Sequence, residues 1–312
     1  MNIGFYYNKI FLEHVNVHSP VHNESPERLK RILEYLAVSD ISKELIYRFP
    51  ERDDAFYIKK THCSKYFDEL YQKLGNEKDG FIDEDTFFSD KTLAASIIAA
   101  NMGVHAAREI LEGDFTRAFC CVRPPGHHAE SKTAMGFCLF NNVAVTANFL
   151  RMKGFKRILI VDFDVHHGNG TQEIFYEDPE VMFVSIHQKD IYPHCGFKNQ
   201  IGIGHGEGFT INIPLEAGAT FADLRNELTD ELKEYIYFWK PEAILFSAGF
   251  DAHKSDEIAQ LNFESADYFP LTKWFLDLVE NNQTPVISFL EGGYNLDVLP
   301  ECLYHHLRAL IK

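Results

Sequence analysis

Four apolar residues, Ile158-Leu159-Ile160-Val161, run straight into DFDVHHGNG (Asp162 to Gly170), and this junction restricts the fold more than any other stretch of the chain. An uninterrupted apolar run of this length reads as a strand covered on both faces, as in a parallel sheet clothed by helices. Side chains alternate along a strand, so Asp162, Asp164 and His166 share one side at or just beyond its end. Two carboxylates and an imidazole converging there are costly to bury unpaired. A divalent cation removes that cost, and the carboxyl ends of parallel strands are where such sheets build their sites. The triplet therefore predicts a metal centre rather than a polar loop cap.

Around it the pattern alternates between the two periodicities. Strand-like runs are Ile3–Tyr7, Arg117–Val122, Arg157–Asp162, Val181–His187, Phe209–Ile213, Ala243–Ser247 and Val286–Leu290. Helical patterns fill Pro26–Leu36, Lys91–Leu111, Asn142–Lys153, Phe221–Phe238, Ala266–Glu280 and Leu296–Ile311. This order predicts an α/β protein with a mostly parallel central sheet and helices on both faces. Neither a linker nor a repeat of fixed period divides the 312 residues, so residues 1–312 read as one domain. The polar segment Gly75 to Asp90 reads as a loop within it.

With 46 acidic against 30 basic residues the net charge is −16, which disfavours a phosphate backbone as partner and suits a cationic substrate. The basic stretch KGFKR (Lys153 to Arg157) is too short for a nucleic-acid patch and reads as a helix end before a strand. No apolar run reaches membrane-span length, and the start MNIGFYYNK lacks the layout of a signal peptide. Six cysteines without a CxxC pair suggest reduced thiols and a cytoplasmic protein; Cys120 and Cys121 read as packing residues in a strand.

Other strand ends also deliver chemistry. RPPGHHAE follows Arg117–Val122 with His127 and His128, AGFDAHK follows Ala243–Ser247 with Asp251, and EGGYNL follows Val286–Leu290 with Tyr294. Each alone is weak; their joint placement at one edge of the sheet is not.

RPPGHHA, GFCLFNN, DFDVHHGNGTQ, SAGFDAH and EGGYN, in this order, resemble the motif series of the histone deacetylase superfamily, which includes bacterial histone deacetylase-like amidohydrolases and acetylpolyamine amidohydrolases. The likeness runs from HNESPERL to Tyr294. It implies a three-layer arginase/deacetylase-like fold and zinc-dependent removal of an acyl group from an amine nitrogen. Carried over by position, Asp164, His166 and Asp251 would be the metal ligands, leaving room for water and substrate. Two carboxylates would also admit Fe²⁺ or Co²⁺. His128 would be the general base and then acid, while His127 would orient water and stabilise charge. Tyr294 would donate to the oxyanion. Asp162 would back His127, and Asn169 would back His128. An Asn at 169, where some members carry Asp, followed by Gly-Thr-Gln, resembles the class II and bacterial branch.

The resemblance further places Gly136 and Phe137 on one tunnel wall, Phe197 on the opposite wall, and Gly292 and Gly293 where backbone closely approaches the acyl group. It implies a structural potassium site on Asp162, Asp164, His166, Ser185 and Ile186, and a second on Phe175, Asp178 and Val181. His187, His194 and His253 match no ligand position, and His167 should point away from the site and serve structure. The leading expectation is a deacylase acting on an acyl-lysine protein or peptide. The alternative is an acetylpolyamine amidohydrolase, for which Glu24 and Glu27 are candidate rim acids, although PERL also reads as a helix start. A non-catalytic acyl-lysine-binding module would have lost a ligand or the tyrosine, and an arginase-type dimanganese hydrolase would carry a different metal motif.

Overall fold

The computed structural model describes residues 1–19, 22–51, 54–279 and 283–312. Eight strands form one parallel sheet: β1 (Ile3–Tyr6), β2 (Leu45–Arg48), β5 (Arg117–Cys120), β6 (Ile158–Asp162), β7 (Val181–Gln188), β8 (Thr210–Leu215), β9 (Ala243–Ala248) and β10 (Val286–Leu290). Their order is β2-β1-β5-β10-β9-β6-β7-β8. The short β3 (Gly80–Phe81) and β4 (Phe87–Phe88) pair antiparallel in a separate ribbon. β5, β6, β9 and β10 are buried at every residue, as central strands covered on both faces require.

The helices are α1 (Pro26–Val38), α2 (Ala55–Thr61), α3 (Ser64–Asn76), α4 (Thr92–Glu112), α5 (Asn142–Met152), α6 (Asn169–Phe175), α7 (Phe221–Glu227), α8 (Asp230–Trp239), α9 (Tyr268–Leu276) and α10 (Leu299–Ile311). The segment expected as one helix over Phe221–Phe238 is broken, because Thr229 caps α8 by accepting from Leu232 N at 3.2 Å. The helix expected over Ala266–Glu280 starts as a 3₁₀ turn at Ser265–Asp267 and continues as α9; Glu280 lies outside the described residues. Gly75 to Asp90 is less loop-like than expected, holding the end of α3 and the β3–β4 ribbon. β2, α2, α3 and α6 went unread; all but α3 are short, and α6 begins inside the DFDVHHGNG turn. Among the described residues no helix is long and apolar enough to cross a membrane, and all six cysteines are free.

Candidate active site

The four loops that follow β5, β10, β9 and β6 come from four adjacent strands at the centre of the sheet, which is why residues distant in sequence meet. Their carboxyl ends bring together Asp164, His166 and Asp251, with one ligand atom from each within 4.8 Å of the others. His166 Nδ1 is 3.1 Å from Asp164 Oδ1 and 3.2 Å from Asp251 Oδ2. Asp251 Oδ1 accepts from Val165 N at 2.9 Å, whereas its Oδ2 is buried without a hydrogen-bond partner. Burial and the neighbouring Asp164 push the Asp251 carboxyl up to about 7. Burial lowers His166, but the two carboxylates outweigh it and raise the imidazole to about 10. The protein alone thus answers its crowded negative charge by holding protons. An orphaned carboxylate oxygen and one nitrogen aimed at two carboxylates fit a divalent ion.

Asp162 is not part of this group. The strand ends at Asp162, alternation stops governing direction, and its carboxylate turns to His127 instead. The triplet read from the strand pattern thus becomes Asp164 and His166 with Asp251. Glycine at 292 is what lets the carboxylates approach: a Cβ there would lie 2.2 Å from Asp251 Oδ2 and 2.5 Å from Asp164 Oδ2. Its N–H donates to Asp164 Oδ2 at 2.7 Å.

The paired histidines differ in partner and charge. His127 Nδ1 bonds Asp162 Oδ2 at 2.9 Å; burial opposes its charge, but Asp162 and Asp164 prevail and raise it to about 10. His128 Nδ1 bonds Asn169 Oδ1 at 2.8 Å, and Asn169 Nδ2 donates to Glu130 Oε1 at 3.0 Å, which fixes the amide orientation. Burial, then His127 and His166, push His128 well below the usual histidine range. One imidazole is built to stay protonated and the other to stay neutral.

Above these groups lies a cavity of about 280 Å³. His127, His128, His166, Gly292 and Tyr294 line it, together with Gly136, Phe137, Ile191, Tyr192, Ile258 and Asp85. Phe137 meets the Tyr294 ring edge-on at 6.2 Å, and Tyr192 meets His128 edge-on at 5.2 Å. Phe137 has φ 66°, a left-handed backbone that costs energy for a residue with a side chain and presents its ring to the cavity. Gly136 before it (φ 56°) passes so close to His128 that a Cβ would lie 2.4 Å from Cδ2.

Phe197 does not line this cavity. It is 49% exposed and borders a separate hollow with Lys198, Pro214 and Leu215. Gln200 Oε1 accepts from both Gly196 N and Phe197 N, and His187 Nε2 bonds Gly196 O at 2.9 Å, which fold this loop away from the site. The aromatic that this loop contributes to the cavity is Tyr192, five residues earlier. Gly293 also lies off the cavity lining; its carbonyl accepts from Arg28 Nε at 2.6 Å.

Glu24 is no rim acid. It is buried and bonds Arg123 through both oxygens, with Arg28 3.6 Å away. Glu27 is exposed, pairs with Lys30 at 2.6 Å, and lies in the first turn of α1 behind Pro26. His167 turns away from the metal group, its Nδ1 3.0 Å from Ser185 Oγ. That hydroxyl also meets His187 Nδ1 at 2.9 Å. His253 Nε2 is 3.3 Å from Ser265 Oγ, and His194 is exposed at φ 61°.

Ser185 pairs with Asp162 across β6 and β7, and Ile186 follows it. The carbonyl oxygens of Asp164 and His166 accept no hydrogen bond among the described residues, so buried oxygens are available beside Asp162. At the second implied cation site Phe175 O accepts from Asp178 N at 3.0 Å, the Asp178 side chain pairs with Arg151 at 2.9 Å, and Val181 opens β7.

Sequence reasoning missed Glu291, Arg28, Tyr192 and Ile258. Glu291 Oε2 accepts from Gly126 N at 2.7 Å and His127 N at 3.2 Å, holding the histidine loop. Burial pushes its carboxyl up to about 7. Arg28 sits 4.9 Å from the Tyr294 ring centroid. The EGGYN and PERL motifs carried signals for Glu291 and Arg28; nothing local marked Tyr192 or Ile258.

Residues 22–310 match the family model for the histone deacetylase domain. A probable deacetylase of Archaeoglobus fulgidus is 33% identical over 300 residues, covering 95% of this chain and 82% of that protein. Histone deacetylase 5 of Arabidopsis thaliana is 35% identical over 326 residues, covering 99% of this chain and 49% of that protein, so the chain spans about half of that relative. The solved structure described as the HDA15 HD domain superposes with a TM-score of 0.93 at 30% identity, covering 99% of this chain and 88% of the other. The parallel eight-stranded sheet and its helices are thus those of the arginase/deacetylase-like α/β fold.

Proposed function

The chain belongs to the histone deacetylase family, and from that premise we propose that it is a zinc-dependent amidohydrolase, one catalytic domain over residues 1–312, that removes an acetyl or other acyl group from the side-chain amine of acyl-lysine. The observation that carries this reading is the meeting of Asp164, His166 and Asp251, with its orphaned Oδ2, beside two unequal histidines and a tyrosine under a cavity with apolar walls.

Zinc held by Asp164, His166 and Asp251 would polarise the amide carbonyl and bring the pKa of a water toward neutrality. Neutral His128, with Nδ1 committed to Asn169, has Nε2 free to take the proton of the attacking water and return it to the leaving amine. His127, kept protonated by Asp162, stabilises negative charge and orients the water. The Tyr294 phenol is held protonated by burial and by Asp251 and Asp164, so it can donate to the carbonyl oxygen as charge develops, which is typically worth about 3 kcal/mol. Phe137, Tyr192 and Ile258 suit the methylene chain of an acyl-lysine in a protein or peptide. Backbone oxygens of Asp164 and His166, near Asp162, Ser185 and Ile186, suit a structural potassium ion.

An acetylpolyamine is the second reading, supported by Asp85 as the wall carboxylate of the cavity. Burial of Glu24 and the apolar Ile191 and Ile258 favour acyl-lysine. The test is turnover of acetyl-lysine peptides, longer acyl-lysine peptides and acetylated polyamines by protein of measured metal content, beside Asp251→Ala and Tyr294→Phe. We expect Asp251→Ala to lose metal and turnover together. Tyr294→Phe should keep the metal and lose roughly 10²–10³ in kcat with a smaller change in KM. Full turnover by either variant would overturn the mechanism, and preference for acetylated polyamines would replace the substrate.

A further inference from the structure

Tyr294 lies in a stretch without regular structure, between the end of β10 at Leu290 and the start of α10 at Leu299. Its direction is therefore set by whatever grips the backbone around it. Arg28 grips the carbonyl end of the Gly293–Tyr294 peptide, donating through Nε to Gly293 O at 2.6 Å. On the N–H end of the same peptide, at Tyr294 N, the grip is a carboxylate.

Asp256 is 6% exposed, and its carboxylate is met by backbone rather than by a cationic side chain. Three backbone N–H groups satisfy it. Oδ2 accepts from Tyr294 N at 2.6 Å and Asn295 N at 3.0 Å, while Oδ1 accepts from Ile258 N at 3.3 Å. Asp256 N donates to His253 O at 2.8 Å, and Asn295 Nδ2 donates to Ser255 O at 2.6 Å. The loop that carries metal ligand Asp251 is thereby stitched to the loop that carries Tyr294. Two of the three residues Asp256 holds, Tyr294 and Ile258, line the cavity. Bonds from N–H groups to an ionised acceptor are shorter and stronger than neutral ones, so this is a stiff connection.

We propose that Asp256 is a positioning residue for Tyr294: it fixes the tyrosine's peptide so that the phenol meets the substrate carbonyl, and ties that placement to the Ile258 wall. This rests on the oxyanion role given to Tyr294 above. The phenol oxygen lies at the far end of the side chain, so a small rotation of the backbone becomes a large displacement of the donor. A displacement of about 1 Å can cost as much as 10²-fold in rate.

The experiment is a double-variant cycle on metal-loaded protein with an acetyl-lysine peptide, using Asp256→Ala, Asp256→Asn, Tyr294→Phe and the Asp256→Ala/Tyr294→Phe pair. We expect Asp256→Ala to keep its metal, lower kcat by about 10- to 100-fold, and change KM far less. Asp256→Asn retains one carbonyl acceptor and should recover part of the loss. Without the phenol there is nothing left to position, so the pair should be no slower than Tyr294→Phe alone. Should Asp256→Ala fail to fold, the same cycle with Asp256→Asn decides the matter by the same criterion. Losses that multiply in the pair, or a normal kcat for the Asp256 variants beside an impaired Tyr294→Phe, overturn the positioning role and leave the oxyanion role standing. A normal Tyr294→Phe overturns both.

Discussion

His127 holds Asp162 Oδ2 through Nδ1 at 2.9 Å, both side chains sealed from solvent. The adjacent His128 offers the same atom to a neutral amide, Asn169 Oδ1. This difference in second partner, rather than anything in the HH dipeptide itself, divides the two roles. Replacing the amide by a carboxylate in Asn169→Asp should raise the His128 pKa, because a nearby negative charge favours the imidazolium. Neutral His128 is the working base, so the acid limb of kcat/KM should move to higher pH, by roughly one pH unit or more. A pH–rate profile at constant metal saturation checks this. An unmoved acid limb would take the general-base role away from His128.

The corrected cavity wall is equally testable. Tyr192 packs edge-on against His128 and His166, whereas Phe197 is half exposed over another hollow. Tyr192→Ala should raise KM for an acyl-lysine peptide about tenfold or more, since fully burying an aromatic side chain is worth about 1.5–3 kcal/mol. Phe197→Ala should leave kcat and KM unchanged. Steady-state kinetics with equal sensitivity to both substitutions would return Phe197 to the wall.

The contrast shows what sequence can and cannot carry. β6, β9 and β10 were legible because continuous apolar runs mark strands buried on both faces, and their ends deliver Asp164, Asp251 and Tyr294. Alternation gave a shared face for Asp162 and His166 but failed once the strand ended, which is why Asp162 serves His127 and not the metal group. Tyr192 and Asp256 were illegible for a different reason. Their placement comes from loop hydrogen bonds between segments, such as Asp256 to Tyr294, 38 positions apart, which no local period encodes.

Glu24, expected as a candidate rim acid, supports the site from below. It bonds Arg123 through both oxygens and lies 3.6 Å from Arg28, which in turn donates to Gly293 O and Glu291 O. Removing it leaves two buried guanidinium groups without their carboxylate, a type of change that costs about 3–5 kcal/mol. Glu24→Ala should therefore unfold at markedly lower denaturant, while the folded fraction keeps the wild-type ranking of acetyl-lysine over acetylated polyamine. Wild-type stability with an altered substrate ranking would restore it to the rim.

His306 provides a pH test far from the metal ligands. It is buried, with Nδ1 2.6 Å from Thr272 Oγ1 and Nε2 2.8 Å from Ser288 Oγ, among the rings of Phe119, Phe163, Phe246 and Phe250. Burial lowers its pKa to about 3. The folded value is thus below the unfolded one, so its contribution to stability is complete above about pH 6.5 and is lost as pH falls toward the folded value. Between these limits the unfolded chain binds one proton more at this residue, a slope of about 1.4 kcal/mol per pH unit. His306→Gln keeps a polar side chain for the two hydroxyls but cannot titrate. It should lower stability at neutral pH and flatten the acid fall by one proton, read from denaturant unfolding at several pH values between about 4 and 6. An identical slope in the variant would mean that His306 is already protonated in the folded protein, contrary to its hydroxyl-and-ring surroundings.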